Sequence, residues 1–128
     1  MVVDTDVIVR FLTGDDSRKA VRFKNCLQRG VNLILTDVTF AEIYWTLSSF
    51  YRFPRDQIIK VLDGLLNTRS LISNQPILQK TLVLLLTQKL SFIDAYLAAF
   101  SLLEGDGKIM SYDRGFDKVA GLQRIEPL

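Results

Sequence analysis

Short apolar segments with the character of β-strands alternate along the chain with segments of helical periodicity. "VNLILT" and "GKIMSYD" are typical of strands, and "PRDQIIKVLDGLL" carries its apolar residues at helical spacing. Such alternation implies right-handed crossovers between parallel strands, with helices on both faces of the sheet. We therefore predict an α/β fold with a central, mostly parallel sheet. In sheets of this kind the functional site lies beyond the carboxyl ends of the strands.

Turn and capping residues place the segments along the chain. Strands are expected within residues 1–9, 31–36 and 107–113, with 70–73 either a short strand or an extended connection and 123–127 a last short strand. Helices are expected at 17–29, from about 38 onward, and at 54–66, 76–90 and 91–105. Asp15, Asp16 or Ser17 is suited to cap the first helix, and Gly30 to end it. At 128 residues the chain is expected to form one domain, residues 1–128.

Composition restricts where such a chain works. Apolar residues make up 48% of the sequence, which is typical of a packed globule. No apolar run approaches the ~18 residues that span a bilayer, and no export signal is visible, so no membrane partner is expected. The single cysteine, Cys26, cannot form an intramolecular disulfide, which favours a cytoplasmic protein.

The sequence contains no histidine. Its absence excludes Ser–His–Asp triads, histidine-based acid–base pairs and zinc sites with histidine ligands. Any hydrolytic chemistry must therefore use carboxylates, a metal ion, or both. The net charge of +2 is small, but five cations lie within twelve residues that contain no acid: Arg18, Lys19, Arg22, Lys24 and Arg29.

Carboxylates fall near the expected carboxyl ends of the strands or in the first turns of the helices that follow. They are Asp4, Asp6, Glu42, Asp94, Asp113 and Asp117. Two carboxylates about 5 Å apart repel by roughly 3 kcal/mol at an effective dielectric constant near 20, so a cluster of them needs a cation. Oxygen ligands without histidine or cysteine favour Mg²⁺ or Mn²⁺. Such ions activate water and stabilise charge in phosphodiester hydrolysis.

Each acid also has a local structural interpretation. Glu42 completes a capping-box pattern with Thr39 in "TFAE", and Asp94 completes a weaker one in "SFID". Asp113, followed by Arg-Gly, is typical of a turn aspartate. Asp4 fits neither role, because the interior of a strand needs neither a cap nor a turn. Taken singly, the acids are weak signals, and their joint placement favours a shared site.

Four segments resemble, in order and spacing, the four motif regions of PIN domains: "VVDTDVIVRFL", "TFAEIYWTL", "FIDAYLAA" and "SYDRGFDKV". The resemblance is greatest to VapC-type ribonuclease toxins of toxin–antitoxin pairs and extends over essentially the whole chain. It implies a three-layer α/β/α sandwich and an endoribonuclease that uses Mg²⁺ or Mn²⁺ to leave a 5′-phosphate and a 3′-hydroxyl. It also implies a homodimer and a cognate VapB-like antitoxin that inhibits by placing a basic side chain among the acids.

By position, the resemblance implies four catalytic, metal-binding carboxylates: Asp4, Glu42, Asp94 and Asp113. Asp117 stands where some members have a further acid. Asp6 stands where many have Asn, and it either adds to the metal site or points away from it. Ser111 matches a hydroxyl position that helps to organise the site, and Thr5 is assigned a similar supporting role.

Further residues are candidates for partner contacts. Arg10, together with Arg18 and Arg22 of the basic helix, is a candidate for RNA phosphate contacts, although these cations equally suit a solvated helix face. The aromatic residues between 44 and 53 are expected mostly in the core, with some exposed as a groove for an antitoxin segment. The helix at 76–90 suits either a deep core or a homodimer face.

Other functions remain open from the sequence. "DTDV" is similar to the nucleophile loop of haloacid-dehalogenase phosphatases, but Ile8 occupies its Thr/Val position and the chain is small for that fold. A phospho-accepting receiver domain needs an Asp and Lys pair that cannot be placed. A non-toxin PIN nuclease in RNA processing and a binding-only PIN-like module are the remaining alternatives. The binding-only module typically lacks one or more of the acids, which this sequence retains.

Overall fold

The computed structural model describes residues 1–128 and contains six α-helices, one short 3-10 helix and four short strands. In chain order they are α1 (Thr5–Thr13), α2 (Ser17–Gln28), β1 (Leu33–Ile34), α3 (Asp37–Ser49), α4 (Arg55–Leu66), β2 (Leu71–Ile72), α5 (Gln75–Thr87), α6 (Phe92–Leu103), β3 (Lys108–Met110), the 3-10 helix Arg114–Lys118 and β4 (Gln123–Ile125). Residue contacts divide the chain into two compact units, Met1–Asn74 and Gln75–Leu128.

In the first unit, β1 and β2 pair in parallel, with Leu33 opposite Leu71 and Ile34 opposite Ile72. Helices α3 and α4 form the crossover between the two strands, and α1 packs against both α2 and α3. The core side chains come from one face of each helix and include Ile8, Phe40, Ile43, Leu47, Ile58 and Leu62, all fully buried. Because α3 turns this face inward, its other faces are available to line a surface cleft.

The amino-terminal segment differs from the prediction of a strand within residues 1–9. It contributes a single parallel bridge, between Val2 and Ile34, and becomes helical at Thr5. The prediction was wrong because the β-branched residues after Asp4 were assigned to the strand. Their helical spacing instead buries Ile8 and Val9 on one face of α1, and Asp4 supplies the cap that starts the helix.

In the second unit, α5 packs along α6, and β3 pairs in parallel with β4. Small side chains at Ala95, Ala98 and Ala99 are fully buried, and small residues allow close helix packing. The Ser101 hydroxyl donates a hydrogen bond of 2.7 Å to the carbonyl of Lys108, which ties α6 to the start of β3. The start of β3 is therefore held against the carboxyl-terminal part of the helix that carries Asp94.

The predicted α/β class with parallel strand pairing is confirmed, although the strands are shorter than expected. Asp16 caps α2 and Gly30 follows its end with φ +73°, as the sequence predicted. Helix α5 contributes to the core through Leu82, Leu84 and Leu85, which are buried, while Val83 and Leu86 are exposed. None of the helices combines the length and the apolar character that crossing a lipid bilayer requires.

Candidate active site

Asp4 is positioned by the start of α1. It is the N-cap residue, with extended backbone angles, and its Oδ1 accepts a hydrogen bond of 2.8 Å from the Thr5 backbone N–H. Aspartate suits this position because its carboxylate satisfies a free N–H group and faces the positive end of the helix dipole. Its second oxygen has no protein hydrogen bond and remains available to a ligand. The Thr5 side chain is buried beneath the cap.

Glu42 lies in the second turn of α3 and is exposed. The capping-box interpretation of Glu42 with Thr39 is wrong, because the helix begins earlier: Thr36 is the N-cap, and its Oγ1 accepts from the Thr39 N–H at 3.2 Å. The Glu42 carboxylate makes no hydrogen bond or ion pair with the protein. No structural role therefore explains a negative charge at this position.

Glu42 opens onto a cleft of about 330 Å³ within the first unit. The cleft is lined by Thr5, Asp6, Val9, Arg10, Asp15, Glu42, Thr46, Phe50 and Tyr51. Three of its nine lining residues are acidic and one is basic, so the cleft attracts cations. The loop after α1 and the carboxyl end of α3 supply the rim.

Asp6 shares this cleft but is already neutralised. It lies in the first turn of α1, where its Oδ1 accepts a bond of 2.9 Å from the Arg10 Nε one helical turn later. The strand geometry that would place Asp6 on the same side as Asp4 does not occur. The hydrogen bond and the charge of Asp6 raise the pKa of the Arg10 guanidinium. The ion pair with Asp6 holds the Arg10 guanidinium, which is a cation in any case, in the cleft.

In the second unit, Asp94 lies in the first turn of α6 and is half-buried. Ser91 is the N-cap, and its Oγ accepts from the Asp94 backbone N–H at 3.1 Å. This confirms the serine half of the predicted capping pattern. The Asp94 carboxylate does not return a hydrogen bond to Ser91, so it is not used by the cap.

Asp113 follows β3 and begins the Arg114–Lys118 helix. Its Oδ1 accepts a bond of 2.8 Å from the Gly115 N–H, so the turn interpretation is confirmed as a local role. Ser111 supports the same turn, because its Oγ accepts from the Asp113 N–H at 2.9 Å. A Cβ on Gly115 would lie 3.0 Å from Asp113 Oδ1, so a larger residue there would displace the carboxylate.

Asp117 is held in an ion-pair network that the sequence did not predict. Arg124, on β4, donates from Nε to Asp117 at 2.9 Å and from Nη1 to Glu126 at 2.8 Å. The same Nη1 donates to the Ser111 carbonyl at 2.9 Å. The pKa of Arg124 is raised by its bonds with Glu126 and with Asp117. Arg124 on β4 therefore stabilises the loop that carries Asp113.

The six candidate acids thus fall into two electrostatic classes. Asp6 and Asp117 pair with arginines, whereas the four carboxylates that the resemblance implies form no ion pair: Asp4, Glu42, Asp94 and Asp113. Each unit supplies two of the four, and nowhere do three Asp, Glu, His or Cys side chains form a ready metal-binding group. Carboxylate oxygens, in a chain without histidine, are ligands that Mg²⁺ and Mn²⁺ prefer. The donor set therefore fits Mg²⁺ or Mn²⁺.

Two of the three predicted RNA contacts, Arg18 and Arg22, lie on α2, whereas Arg10 lies on α1 and is paired with Asp6. Arg18, Lys19, Arg22, Lys24 and Arg29 are all exposed and free of ion pairs. Lys19 and Arg22 also line a second cleft of about 240 Å³, which shares Asp6 and Arg10 with the cleft of Glu42. The Asp6–Arg10 pair is thus common to an acidic and a basic cleft.

The aromatic region between residues 44 and 53 is less buried than predicted. Trp45 is 65% exposed and Phe50 is 74% exposed, and only part of the region packs into the protein. Of these two rings, Phe50 lines the cleft of Glu42 and Trp45 does not. No local signal in the sequence predicts this difference, because it depends on where α3 ends.

Comparisons with known proteins bear on the family of the chain. The PIN domain family model matches residues 1–122. A VapC ribonuclease of Aquifex aeolicus (strain VF5) is 22% identical over 130 residues, in an alignment that covers 98% of this chain and 96% of that protein. The match extends over both compact units and includes all four unpaired carboxylates.

Proposed function

The chain belongs to the PIN domain family, and on that premise we propose that it is a metal-dependent endoribonuclease. The observation that carries the proposal is that the carboxylates of Asp4, Glu42, Asp94 and Asp113 form no ion pair, whereas the other two acids of the motif segments, Asp6 and Asp117, are paired with arginine. The VapC ribonuclease of Aquifex aeolicus, similar over almost its full length, supports RNA as the substrate.

Asp4, Glu42, Asp94 and Asp113 are the residues that would hold Mg²⁺ or Mn²⁺. When bound, the ion lowers the pKa of water and stabilises negative charge on the phosphate. The chain itself prepares the carboxylates. Asp4 and Asp113 are each oriented by a backbone N–H bond at Oδ1, which leaves the second oxygen free and reduces the entropy lost on binding.

Supporting residues fix these carboxylates in place. The Ser111 Oγ accepts a hydrogen bond from the Asp113 N–H. Arg124 donates hydrogen bonds to both the Ser111 carbonyl and the Asp117 carboxylate. We assign Asp117 to this positioning role. In the cleft of Glu42, Arg10 provides a fixed cation beside the acids, suited to a phosphate oxygen of the substrate.

The test compares single neutralising substitutions with matched controls. Asp4→Asn, Glu42→Gln, Asp94→Asn and Asp113→Asn should each reduce cleavage of single-stranded RNA in Mn²⁺. The loss should exceed the roughly 10- to 100-fold expected when only an outer-shell partner is removed. Calorimetry should record weaker Mn²⁺ binding by the same variants.

The control is Asp6→Asn, which removes a carboxylate that is already paired with Arg10 and should cost less than any of the four. Chelation with EDTA should abolish cleavage, and Mn²⁺ should restore it. Cleavage that persists in EDTA, or unchanged cleavage in the Asp4 and Asp94 variants, would contradict the proposal.

The same similarity supports a biological role as the toxin of a toxin–antitoxin pair, with a VapB-like antitoxin as partner and action in the cytoplasm. Expression of the wild-type chain should arrest bacterial growth, and expression of Asp94→Asn should not. A small upstream reading frame with a DNA-binding amino terminus would agree with this role. Growth unaffected by an active enzyme would instead favour a non-toxin PIN nuclease of RNA processing.

A homodimer is proposed from the exposed apolar face of the second unit. Ile93, Leu97 and Phe100 lie at i, i+4 and i+7 on α6 and are 56%, 45% and 45% exposed. Val83 and Leu86 on α5 are 48% and 64% exposed. Apolar stripes of this kind on a helix pair are typical of protein–protein interfaces.

A further inference from the structure

We infer that Phe50 and Tyr51 form a stacking platform for one unpaired nucleobase of the RNA, at the rim of the cleft that contains Glu42. The inference rests on the proposed ribonuclease function and adds a base-binding subsite to it. Phe50 directly follows α3, and both rings line the cleft together with Glu42 and Arg10.

The exposure of Phe50 has no explanation in the folded chain. Its side chain is one of the most water-accessible large apolar groups in the unit, at 74%, while the other phenylalanines of the first unit, Phe11, Phe23, Phe40 and Phe53, are buried or half-buried. An apolar ring left in water at the edge of a polar cleft is a feature of binding sites.

The platform is rigid. The N–H groups of Phe50 and Tyr51 both donate to the Thr46 carbonyl, at 3.0 and 3.2 Å, and the Phe53 N–H donates to the Leu47 carbonyl at 2.9 Å. Arg52 between them has φ +56°, in the left-handed region that non-glycine residues rarely occupy. Backbone strain of this kind is commonly retained where a side chain must be held for function.

Tyr51 braces the exposed ring from the side. Its hydroxyl donates to Asp15 Oδ2 at 3.2 Å, which connects the end of α3 to the loop after α1. The Phe50 and Tyr51 rings are 5.0 Å apart and inclined at 73°, an edge contact rather than a stack. Because the two rings are nearly perpendicular, Tyr51 contacts Phe50 on one side at most, and at least one face of the Phe50 ring is left for stacking.

The surroundings favour a nucleobase over an apolar peptide side chain. Asp15, Glu42 and Thr46 face the same cleft, and a purely apolar partner would bury these polar groups without hydrogen bonds. A base offers a flat π-face for Phe50 and N–H donors at its edge for the carboxylates. Only an unpaired base can present both, so the subsite selects single-stranded RNA.

The test measures binding without cleavage, in EDTA, using a single-stranded RNA oligonucleotide that contains 2-aminopurine. Phe50→Ala should bind about 5- to 100-fold more weakly than wild type, the range expected when one base–aromatic stack is lost. Phe50→Trp should bind as tightly as wild type. The quenching of 2-aminopurine fluorescence that accompanies stacking should be present in wild type and Phe50→Trp and absent in Phe50→Ala.

Two controls separate stacking from other effects. Trp45→Ala removes another exposed aromatic ring, which lies on α3 but outside the cleft, and it should leave RNA binding unchanged. The slope of affinity against salt concentration should be the same in Phe50→Ala as in wild type, because the substitution removes no phosphate contact.

The outcomes also separate this inference from the proposed function. If wild type cleaves RNA but Phe50→Ala binds RNA and quenches 2-aminopurine fluorescence like wild type, the base platform is overturned. The exposed Phe50 ring would then be assigned to contact with a protein partner. If wild type neither binds nor cleaves RNA, the ribonuclease proposal fails, and the platform fails with it.

Discussion

Two substitutions of Asp4 separate its structural role from its proposed catalytic role. Asparagine caps helices about as well as aspartate, so Asp4→Asn keeps the bond to the Thr5 N–H that measures 2.8 Å in the wild type. It loses only the favourable charge at the helix amino terminus, worth about 0.3–1 kcal/mol. Asp4→Ala loses this charge and also the cap, for which the typical cost is about 1 kcal/mol.

These energies convert into melting temperatures. With an unfolding entropy near 2.1 cal/mol/K per residue, a chain of this length loses about 4 °C for each kcal/mol. Asp4→Ala should therefore melt about 4 °C below Asp4→Asn in EDTA, as measured by circular dichroism. Both variants should nevertheless lose RNA cleavage equally, because neither retains the carboxylate. Equal melting temperatures would refute the capping argument, and wild-type cleavage by Asp4→Asn would refute the assignment of Asp4 as a ligand.

Three further predictions concern the core, the basic face and the exposed apolar stripe. Phe40→Ala should lower the free energy of unfolding by about 3–5 kcal/mol in urea denaturation, because Phe40 is fully buried. Arg18→Glu combined with Arg22→Glu should weaken single-stranded RNA binding and flatten the slope of its salt dependence by roughly 1.4. The control variant, Lys60→Glu on α4, should change neither the affinity nor the slope. An unchanged slope in the double variant would reject a phosphate contact. Leu97→Glu should convert a homodimer into monomers in light scattering, and a dimer that persists would place the interface elsewhere.

Much of the fold could be predicted because its elements are marked by local chemistry. Asp16 and Gly30 delimit α2, Ser91 caps α6, and the apolar positions of α4 recur at helical spacing. These signals act within a few residues, so a single sequence contains them. The parallel pairing of β1 with β2 follows from the helices between them and the short connections.

The predictions from sequence were wrong in segments where two local signals compete. The segment after Asp4 has β-branched residues that favour a strand and a period that favours a helix, and tertiary burial of Ile8 decided for the helix. Thr36 and Thr39 are both suitable caps for α3, and the structure uses Thr36. Arg124 could not be assigned to Asp117, because that ion pair depends on the position of β4 against the Arg114–Lys118 helix.

The choice between cap and ligand, which the sequence posed for each acid, turns out not to be exclusive. Asp4 and Asp113 each use one carboxylate oxygen to satisfy a backbone N–H and leave the other free. Asp94 lies in the first turn of α6, where the helix dipole favours negative charge. Three of the four carboxylates thus gain a favourable interaction with the backbone before any cation binds. In the proposed metal site this interaction would offset part of the repulsion between the carboxylates. The capping positions are therefore part of how a fold with so little sheet can maintain an acidic site.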